Sequence, residues 1–434
     1  MRVRIAPSLD LFPVPARSRF ATRVVGSYGT NIAMAVLSLA NVLVISRALG
    51  PTGRGEVAFL ITVGYLTAQF ASLGVQQANA NIGGSEPEAQ PSLATNSLGI
   101  SLGLGIVAIG VLAVLIGAFP AVGAHSGSLA RWIAFASIPA VIFADYLATL
   151  MQSDYRFAPV NVAAIVAPLA IIAANGALAL AGLLTPTRAV AAWAGGQLIR
   201  TLALAGYMGL RGRGFGRPEP ALARRMLGFG LRTHATRVMS FGNYRLDQWL
   251  VGSIAGAREL GLYSVAVAWS EGLFFLPNAL AAVQRPDLVR ASPGEAYVRA
   301  RRAHLVGQAV TLLLALVMIA FAGPLCTVVF GPAFHGSVAE LRILALGGFG
   351  IAALKQLGDA LTAQRKPLLE SIAMAAAFVL TLALDIVLIP LEGGVGAAIA
   401  SVTAYSAGGL AVWFIFERTL RAPTAPTASR EAAS

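Results

Sequence analysis

The sequence predicts an all-α polytopic membrane protein, with about twelve transmembrane helices in two pseudo-symmetric six-helix bundles around a central cavity. Three observations predict it. Of the 434 residues, 57% are hydrophobic and only 12% are charged, apolar runs long enough to cross a bilayer fill most of the chain, and the two halves share a spaced glycine pattern. Because a soluble globular domain carries about 25% charged residues, the composition excludes an ordinary soluble protein.

Twelve apolar runs are long enough to be membrane helices. Crossing the roughly 30 Å hydrocarbon layer takes about 20 such residues. Bounded by Gly, Pro or Arg, the runs lie at 24–48, 57–80, 94–119, 129–151, 158–182, 189–210, 229–251, 261–283, 304–329, 338–362, 367–390 and 395–416. The connections are short, which leaves no room for a separate soluble domain. The first 23 residues lack the features of a signal peptide.

The runs divide into two sets of six. We predict a cytoplasmic N-terminal segment (1–23), an N-terminal bundle (24–210), a basic cytoplasmic linker (211–228), a C-terminal bundle (229–416) and a cytoplasmic tail (417–434). A repeat supports this division, since Gly50 and Gly55 match Gly256 and Gly261 at a shift of 206 residues. An even number of helices per half preserves orientation, so the halves are expected to be parallel repeats with the substrate between them.

Lys and Arg are distributed unequally between the two sides of the membrane. Connections on the side of the N-terminus hold 21 of them, and those on the opposite side hold 6. Because cytoplasmic loops are enriched in Lys and Arg, both termini are predicted to be cytoplasmic. The net charge of +13 is therefore interpreted as a topology signal and not as a nucleic-acid surface, although the basic loops could also hold anionic lipid.

Residue types that serve metals and nucleotides are scarce. Cys326 is the only cysteine, and the four histidines are scattered without metal-ligand spacing. The sequence contains no Walker-type nucleotide-binding loop. We therefore expect no metal site and no cofactor, and energy supplied by an ion gradient or by the membrane potential.

The predicted seventh helix is polar along one face. At 100° per residue, an arc of about 140° holds Thr236, Arg237, Ser240, Asn243, Tyr244, Asp247 and Gln248. Arg245 points away from this arc and is predicted to be structural. A helix with this pattern is expected to line a water-filled cavity; the alternative is polar contact between helices.

An ionisable residue in the eighth helix is a second candidate for a functional role. Such a residue costs several kcal/mol in a membrane unless it faces a cavity or a partner. Glu271 is aligned with Asn278 at a spacing of seven, beside Pro277, which can kink the helix.

Three further acids lie inside predicted helices. Lys355 and Asp359 have the i, i+4 spacing of an intrahelical ion pair. Asp145 and Asp385 are single buried acids of the fourth and eleventh helices. Burial favours the neutral carboxyl, so both are candidates for titration during transport.

Several helix-end motifs together resemble those of one known family. They are Arg47-Ala48-Leu49-Gly50-Pro51, Gly55-Glu56, Asp247-Gln248-Trp249-Leu250-Val251-Gly252, Gly261-Leu262-Tyr263-Ser264-Val265-Ala266, Arg285-Pro286, Phe330-Gly331-Pro332-Ala333-Phe334, Leu341-Arg342-Ile343-Leu344-Ala345-Leu346, Ala363-Gln364-Arg365-Lys366-Pro367, Leu388-Ile389-Pro390 and Gly396-Ala397-Ala398-Ile399-Ala400. This series, which covers nearly the whole chain, resembles the polysaccharide-biosynthesis oligosaccharide-lipid flippases, of the O-antigen type. They belong to the superfamily that also contains multidrug and toxin extrusion transporters.

The resemblance implies a function and a location. It implies a V-shaped pair of six-helix bundles whose first and seventh helices line a central cavity. It also implies export of polyprenyl-pyrophosphate-linked oligosaccharide across the bacterial inner membrane, as in lipopolysaccharide or exopolysaccharide synthesis, without enzymatic activity and with contact to polysaccharide assembly machinery. The peptidoglycan-precursor flippases usually have two more helices, which this sequence lacks.

Roles follow for the polar residues of the predicted cavity. Arg237 and Arg232 are expected to hold the pyrophosphate, since a guanidinium makes two charge-assisted hydrogen bonds. The residues expected to meet sugar hydroxyls are Asn31, Asn243, Tyr244 and Gln248. The candidates for proton or sodium coupling are Asp247, Glu271, Asp359 and Asp385.

Two other functions compete with this interpretation. A multidrug or cation antiporter of the same superfamily would favour acids over arginines in its cavity. A membrane polysaccharide polymerase or ligase would need a sizeable extracytoplasmic loop with catalytic residues, and every predicted outer loop is short.

Overall fold

The described chain is built almost entirely from α-helices. The computed structural model describes residues 17–118 and 127–421, so most of the predicted N-terminal segment and the tail beyond 421 lie outside the described residues. The helices are α1 Arg17–Ala71, α2 Val75–Ser85, α3 Gln90–Ala118, α4 Ser128–Ala136, α5 Ile138–Ser153, α6 Phe157–Leu180, α7 Pro186–Arg211, α8 Pro220–Ile254, α9 Ala257–Ser270, α10 Phe275–Arg290, α11 Pro293–Thr327, α12 Ser337–Ala363 and α13 Pro367–Leu420.

These helices make twelve crossings, as predicted. Eight spans of the described chain are long and apolar enough to cross a membrane by length and composition. Two of these eight, in α1 and α13, are kinked pairs of crossings. The remaining two crossings are α7 and α8, which are as long but more polar.

Two predicted connections are kinks within continuous helices. Gly50 has φ 66° in α1, and Gly393 has φ 56° in α13. Glycine adopts positive φ at little cost because it has no Cβ. Pro51 follows the first kink and suits the start of the next helical stretch, since the missing N–H is not needed there. The chain therefore reverses direction without a loop.

Two other crossings contain a break in the helix within the crossing itself. The second crossing breaks at Leu73 and Gly74, which have φ 45° and 71°. The eighth contains the 3-10 turn Glu271–Phe274 between α9 and α10. Pro277 lies just beyond that turn and lacks the N–H that would bond back into it, so the α-helix is interrupted next to the proline at which the sequence predicts a kink.

Two helices begin well before their predicted starts. α8 begins at Pro220 instead of 229, and α11 begins at Pro293 instead of 304. Ser292 and Glu295 form a capping box at the start of α11, which satisfies backbone donors that a helix end leaves free. A hydrophobicity pattern identifies only the part of a helix that lies in the apolar layer. It therefore did not predict the polar first turns of α8 and α11.

The first turns of α8 lie on the N-terminal lobe, which comprises α1 to α7. Arg225 donates two hydrogen bonds to the Glu86 carboxylate, at 2.5 and 3.1 Å, and they hold the pKa of Glu86 below its usual value. Glu219 accepts from the hydroxyl of Ser92 at 2.5 Å and, through its backbone, from Asn96 at 3.0 Å. α8 therefore starts against one lobe, and its middle packs against α13 of the other, where Gly242 meets Phe378. The domain boundary at 229 stays a prediction.

The two lobes are related as the repeat predicted. Gly256 has φ 91°, so it turns the chain between α8 and α9 as Gly50 does in α1. α1 and α9 make the most extensive contact between the lobes. The connections 154–156, 212–219, 291–292 and 364–366 each follow an even-numbered crossing, so they lie at the same end of the bundle, here called the arginine face.

Candidate functional site

The polar residues of α8 divide between the two lobes. Arg237 reaches the N-terminal lobe, where it donates to Gln69 Oε1 and lies 3.7 Å from the Asp145 carboxylate. Arg200 of α7 pairs with the same carboxylate at 2.9 Å. Asp145 was expected to be a single buried acid; it is instead the centre of a two-arginine network. Arg237 would have to leave this network to hold a pyrophosphate.

Arg245 pairs with Glu271, which lines a groove between the lobes. Its guanidinium lies 2.9 Å from Glu271 Oε1, and the two side chains are 36% and 35% exposed. Arg245 is nine residues from the end of α8, about 14 Å along the helix axis, so the pair lies well inside the apolar layer. Lipid contact there would cost several kcal/mol, which makes the exposed surface one that faces water. The structural role expected for Arg245 stays a prediction.

A groove between α1 and α10 adjoins this ion pair. Its volume is 620 Å³, and its walls include Asn31 on α1 and Glu271, Phe275 and Asn278 on the eighth crossing. A cavity of 230 Å³ continues past Ser38 and shares Glu271 with it. This α1–α10 groove thus combines two amides and a carboxylate with apolar walls.

Arg54 of α1 approaches Arg245 from the other lobe. It is 9% exposed and interacts electrostatically with Arg245. Its Nε has no hydrogen-bond partner among the described residues. Arg245 also interacts electrostatically with Asp247, so two guanidinium groups and two carboxylates form the cluster of Arg54, Arg245, Glu271 and Asp247 where the lobes meet. Such a cluster is suited to a phosphate-bearing anion.

Two of the four predicted coupling residues lie together inside the C-terminal lobe. Asp247 is 5% exposed and accepts from the Tyr263 hydroxyl at 2.6 Å. Asp385 is 1% exposed and interacts electrostatically with Asp247. Neither carboxylate oxygen of Asp385 has a hydrogen-bond partner among the described residues. A cavity of 30 Å³ lined by Asp247, Tyr263 and Ser401 has room for about one water molecule or a small cation.

The other two coupling candidates have cationic partners. Glu271 pairs with Arg245, and Asp359 lies 3.1 Å from Arg285 of α10. The predicted Lys355–Asp359 pair is wrong, because the Lys355 ammonium lies over the Tyr244 ring, 4.7 Å from its centroid. The i, i+4 spacing brings two side chains near each other but does not decide between them and groups on neighbouring helices.

The predicted sugar ligands are not gathered in one cavity. Asn31 lines the α1–α10 groove, whereas Asn243 is 1% exposed and bonds to Met374 Sδ and to Thr381, both at 3.3 Å. Gln248 is 5% exposed, and Tyr244 lines the 30 Å³ cavity. In this conformation the described part of the predicted polar arc is largely enclosed by the lobes. The side chains of Thr236 and Ser240 lie outside the described residues.

Arg232 is the predicted ligand that stays at the surface. It is exposed on the first half of α8, towards the arginine face. Its predicted role at the cytoplasmic mouth is compatible with that position and stays a prediction.

The sequence analysis did not single out Arg54 and did not pair Arg245 with Glu271. Arg54 was counted with the outer connections, because a continuous helix across Gly50 was not expected. Arg245 was judged by its angle on α8 alone, which does not show what the other lobe presents to it. The one available signal was the repeat, which places Arg54 in the segment Gly50–Gly55 where the lobes contact.

Comparison with known proteins agrees with this architecture. Residues 44–339 match the family described as polysaccharide biosynthesis protein. No curated protein is significantly similar in sequence. The solved structure of the lipid II flippase MurJ, in an inward closed conformation, has a TM-score of 0.72 and 16% identity, and the match covers 89% of this chain and 87% of that one.

Multidrug transporters share the fold as well. A multidrug resistance MATE family transporter of the MOP superfamily, in its inward-facing conformation, has a TM-score of 0.71 and 14% identity, with 90% of this chain and 95% of that one covered. The outward-facing conformation of a multidrug resistance MATE family transporter has a TM-score of 0.61 and 14% identity. That match covers 92% of this chain and 95% of the other. The family match spans more than half of this chain, and the chain therefore belongs to the polysaccharide biosynthesis protein family, with the fold of the MOP superfamily transporters.

Proposed function

We propose that this protein is a flippase that moves polyprenyl-pyrophosphate-linked oligosaccharide or polysaccharide repeat units across the bacterial inner membrane. Its headgroup would bind between the lobes, and alternating access would carry it across. The observation that carries the proposal is that Arg54 and Arg245 bring guanidinium groups together from the two lobes, and that the buried Nε of Arg54 has no hydrogen-bond partner among the described residues.

A pyrophosphate can replace Glu271 in this cluster. The Glu271 carboxylate pairs with the Arg245 guanidinium at 2.9 Å. A phosphate oxygen is the same kind of charge-assisted hydrogen-bond acceptor and can take its place. Arg54 would then contribute a second guanidinium from the opposite lobe. Substrate binding would thereby link the lobes through a ligand that both of them contact.

The remaining parts of the substrate have positions suited to their chemistry. Asn31 and Asn278 offer amides to sugar hydroxyls in the α1–α10 groove. The polyprenyl chain would stay in lipid while the headgroup enters between α1 and α10, since hydrocarbon gains nothing from a polar cavity. Arg232 is the candidate for first contact at the arginine face, which we propose to be cytoplasmic because it holds most of the basic residues.

Coupling to an ion is proposed at Asp247 and Asp385. An ionised carboxylate without partners is costly in a buried site, and Asp385 has no hydrogen-bond partner among the described residues. A proton or a sodium ion bound between the two acids would remove that cost. Its binding and release would bias the C-terminal lobe between two states.

Transport in proteoliposomes tests the substrate proposal. A labelled polyprenyl-pyrophosphate oligosaccharide is placed in one leaflet, and its appearance in the other is followed with an impermeant reagent. Arg245→Gln should slow flipping by about tenfold to a hundredfold, the loss expected for a hydrogen bond to a charged group. Arg258→Gln, a 67% exposed arginine outside the cluster, should leave the rate unchanged. Equal rates for both variants and the wild type would refute the proposal.

The coupling proposal is tested in the same vesicles by imposing a proton or sodium gradient separately. The gradient that drives the protein should accelerate flipping in the wild type but not in Asp385→Asn. Asp287→Asn, an exposed acid of α10, serves as the matched control. A gradient response that survives in Asp385→Asn would remove this acid from the coupling site.

Export of cationic drugs is the second candidate, because multidrug transporters share the fold. Two arginines at the junction of the lobes oppose it, since they would repel a cation. Uptake of a cationic dye by these vesicles, without flipping of the glycolipid, would favour the drug exporter.

A further inference from the structure

A second groove lies at the arginine face, on the outside of the C-terminal lobe. It has a volume of 600 Å³ and lies between the beginning of α11 and the end of α13. Its walls are formed by Arg301, Trp413, Phe414, Glu417, Arg418 and Arg421. This α11–α13 groove shares no residue with the α1–α10 groove.

The groove keeps a positive charge despite its one acid. Glu417 lies 3.6 Å from both Arg301 and Arg421, which is too long for a hydrogen bond. Its Oε2 accepts instead from the Tyr297 hydroxyl at 2.9 Å. The side chains of Arg301 and Arg421 are 54% and 74% exposed, so their N–H donors are available to another anion.

The same groove has an apolar wall. Trp413 and Phe414 are 45% and 50% exposed, and the Arg418 guanidinium stacks on Phe414 at 4.2 Å. Along α13, Trp413 precedes Arg421 by eight residues, about 12 Å at 1.5 Å per residue. The interfacial layer of each leaflet is about 5 to 8 Å thick. When Arg421 is at headgroup level, the two rings therefore lie at the upper part of the acyl chains.

We infer that the α11–α13 groove binds one anionic phospholipid, with its phosphate at Arg301 and Arg421 and an acyl chain against Trp413 and Phe414. A soluble phosphate would use the arginines and leave the aromatic wall unfilled. A zwitterionic lipid would fill the wall but gain less from the charge. An anionic lipid satisfies both, and the cytoplasmic leaflet supplies it if the arginine face is cytoplasmic.

Quenching of Trp413 by brominated lipid tests the assignment directly. The purified protein is reconstituted in equal mixtures of phosphatidylglycerol and phosphatidylcholine, with one of the two lipids brominated at a time. The part of the quenching that disappears in Trp413→Phe reports the lipid at this groove. Phosphatidylglycerol should be preferred by about fivefold or more, since one basic side chain near an anionic surface contributes about that factor.

Two triple variants with the same change in charge distinguish lipid binding at the α11–α13 groove from a general attraction of anionic lipid to the arginine face. Replacing Arg301, Arg418 and Arg421 by Gln should bring the preference close to one. Replacing Arg224, Arg290 and Arg302, exposed arginines of the same face outside the groove, should leave it within about twofold of the wild type. If both triple variants lost the preference for phosphatidylglycerol, the effect would come from the general surface charge. If both lipids quenched Trp413 equally in the wild type, the groove would have no lipid preference. Either result overturns the inference.

A measurement on the unmodified protein covers the case in which a triple variant fails to fold. Added unbrominated phosphatidylglycerol should relieve quenching by its brominated form more effectively than phosphatidylcholine does. Free inorganic phosphate should leave the quenching unchanged. Relief by phosphate, or equal relief by the two lipids, would contradict a phospholipid site.

Discussion

Gly55 and Gly261 pack reciprocally where the two lobes cross. A Cβ on Gly55 would lie 1.6 Å from the carbonyl oxygen of Ala257, and a Cβ on Gly261 would lie 1.8 Å from that of Pro51. Each glycine therefore meets the residue four positions before the other. Two equivalent segments can make such a contact only about a local two-fold axis, which is the relation that the sequence repeat predicts.

The close approach predicts a large effect of one methyl group. Gly55→Ala should separate α1 from α9 and lower the free energy of unfolding by about 1–3 kcal/mol, the cost of overpacking a contact that cannot relax. Thermal unfolding in detergent measures it. Gly99→Ala is the control, because a Cβ there meets nothing within 4 Å. Equal melting temperatures for both variants would show that the helices part easily.

Asp145 should be important for stability of the N-terminal lobe. In Asp145→Asn, Arg200 and Arg237 lose their shared counterion at 21% and 20% side-chain exposure. Breaking a fully buried pair costs about 3–5 kcal/mol, and partial exposure reduces this to about 2 kcal/mol. Thermal unfolding again provides the measurement. Glu86→Gln breaks a more exposed pair, 37% and 56%, and should lower the melting temperature much less, because solvent screens exposed ion pairs; an equal loss in both would contradict the network.

A double-mutant cycle should distinguish the two possible partners of Asp359. Arg285, at 3.1 Å but 53% exposed, should couple to Asp359 by about 0.5–1 kcal/mol. Lys355, whose ammonium lies on Tyr244, should show coupling near zero. The cycle uses Ala at each position and unfolding free energies. Coupling to Lys355 alone would restore the intrahelical pair that the sequence suggests.

The contrast between these pairs shows what could be predicted from the sequence. The twelve crossings, the turns at Gly50 and Gly256 and the Pro277 interruption were predicted, because hydrophobicity and backbone conformation depend on nearby residues. The partners of Asp145 and Asp359 were not, because they come from other helices. The partners of Arg245 were not predicted for the same reason: a helical projection gives its direction on α8 but not the positions of Glu271 and Arg54.

Glu271 occupies the position that we assign to the substrate, so its removal should strengthen binding. Glu271→Gln frees Arg245 from a competing carboxylate at 2.9 Å, and the pair is a third exposed, so about 1 kcal/mol is gained. Farnesyl pyrophosphate, measured by titration calorimetry, should bind about fivefold more tightly to this variant, since 1.4 kcal/mol is tenfold. Flipping by this variant should be slower, because release of the pyrophosphate no longer restores the Arg245–Glu271 ion pair. Glu259→Gln, an acid of equal exposure paired with Arg258, is the control. Unchanged or weaker binding in Glu271→Gln would mean that this carboxylate orients Arg245 and does not compete with the substrate.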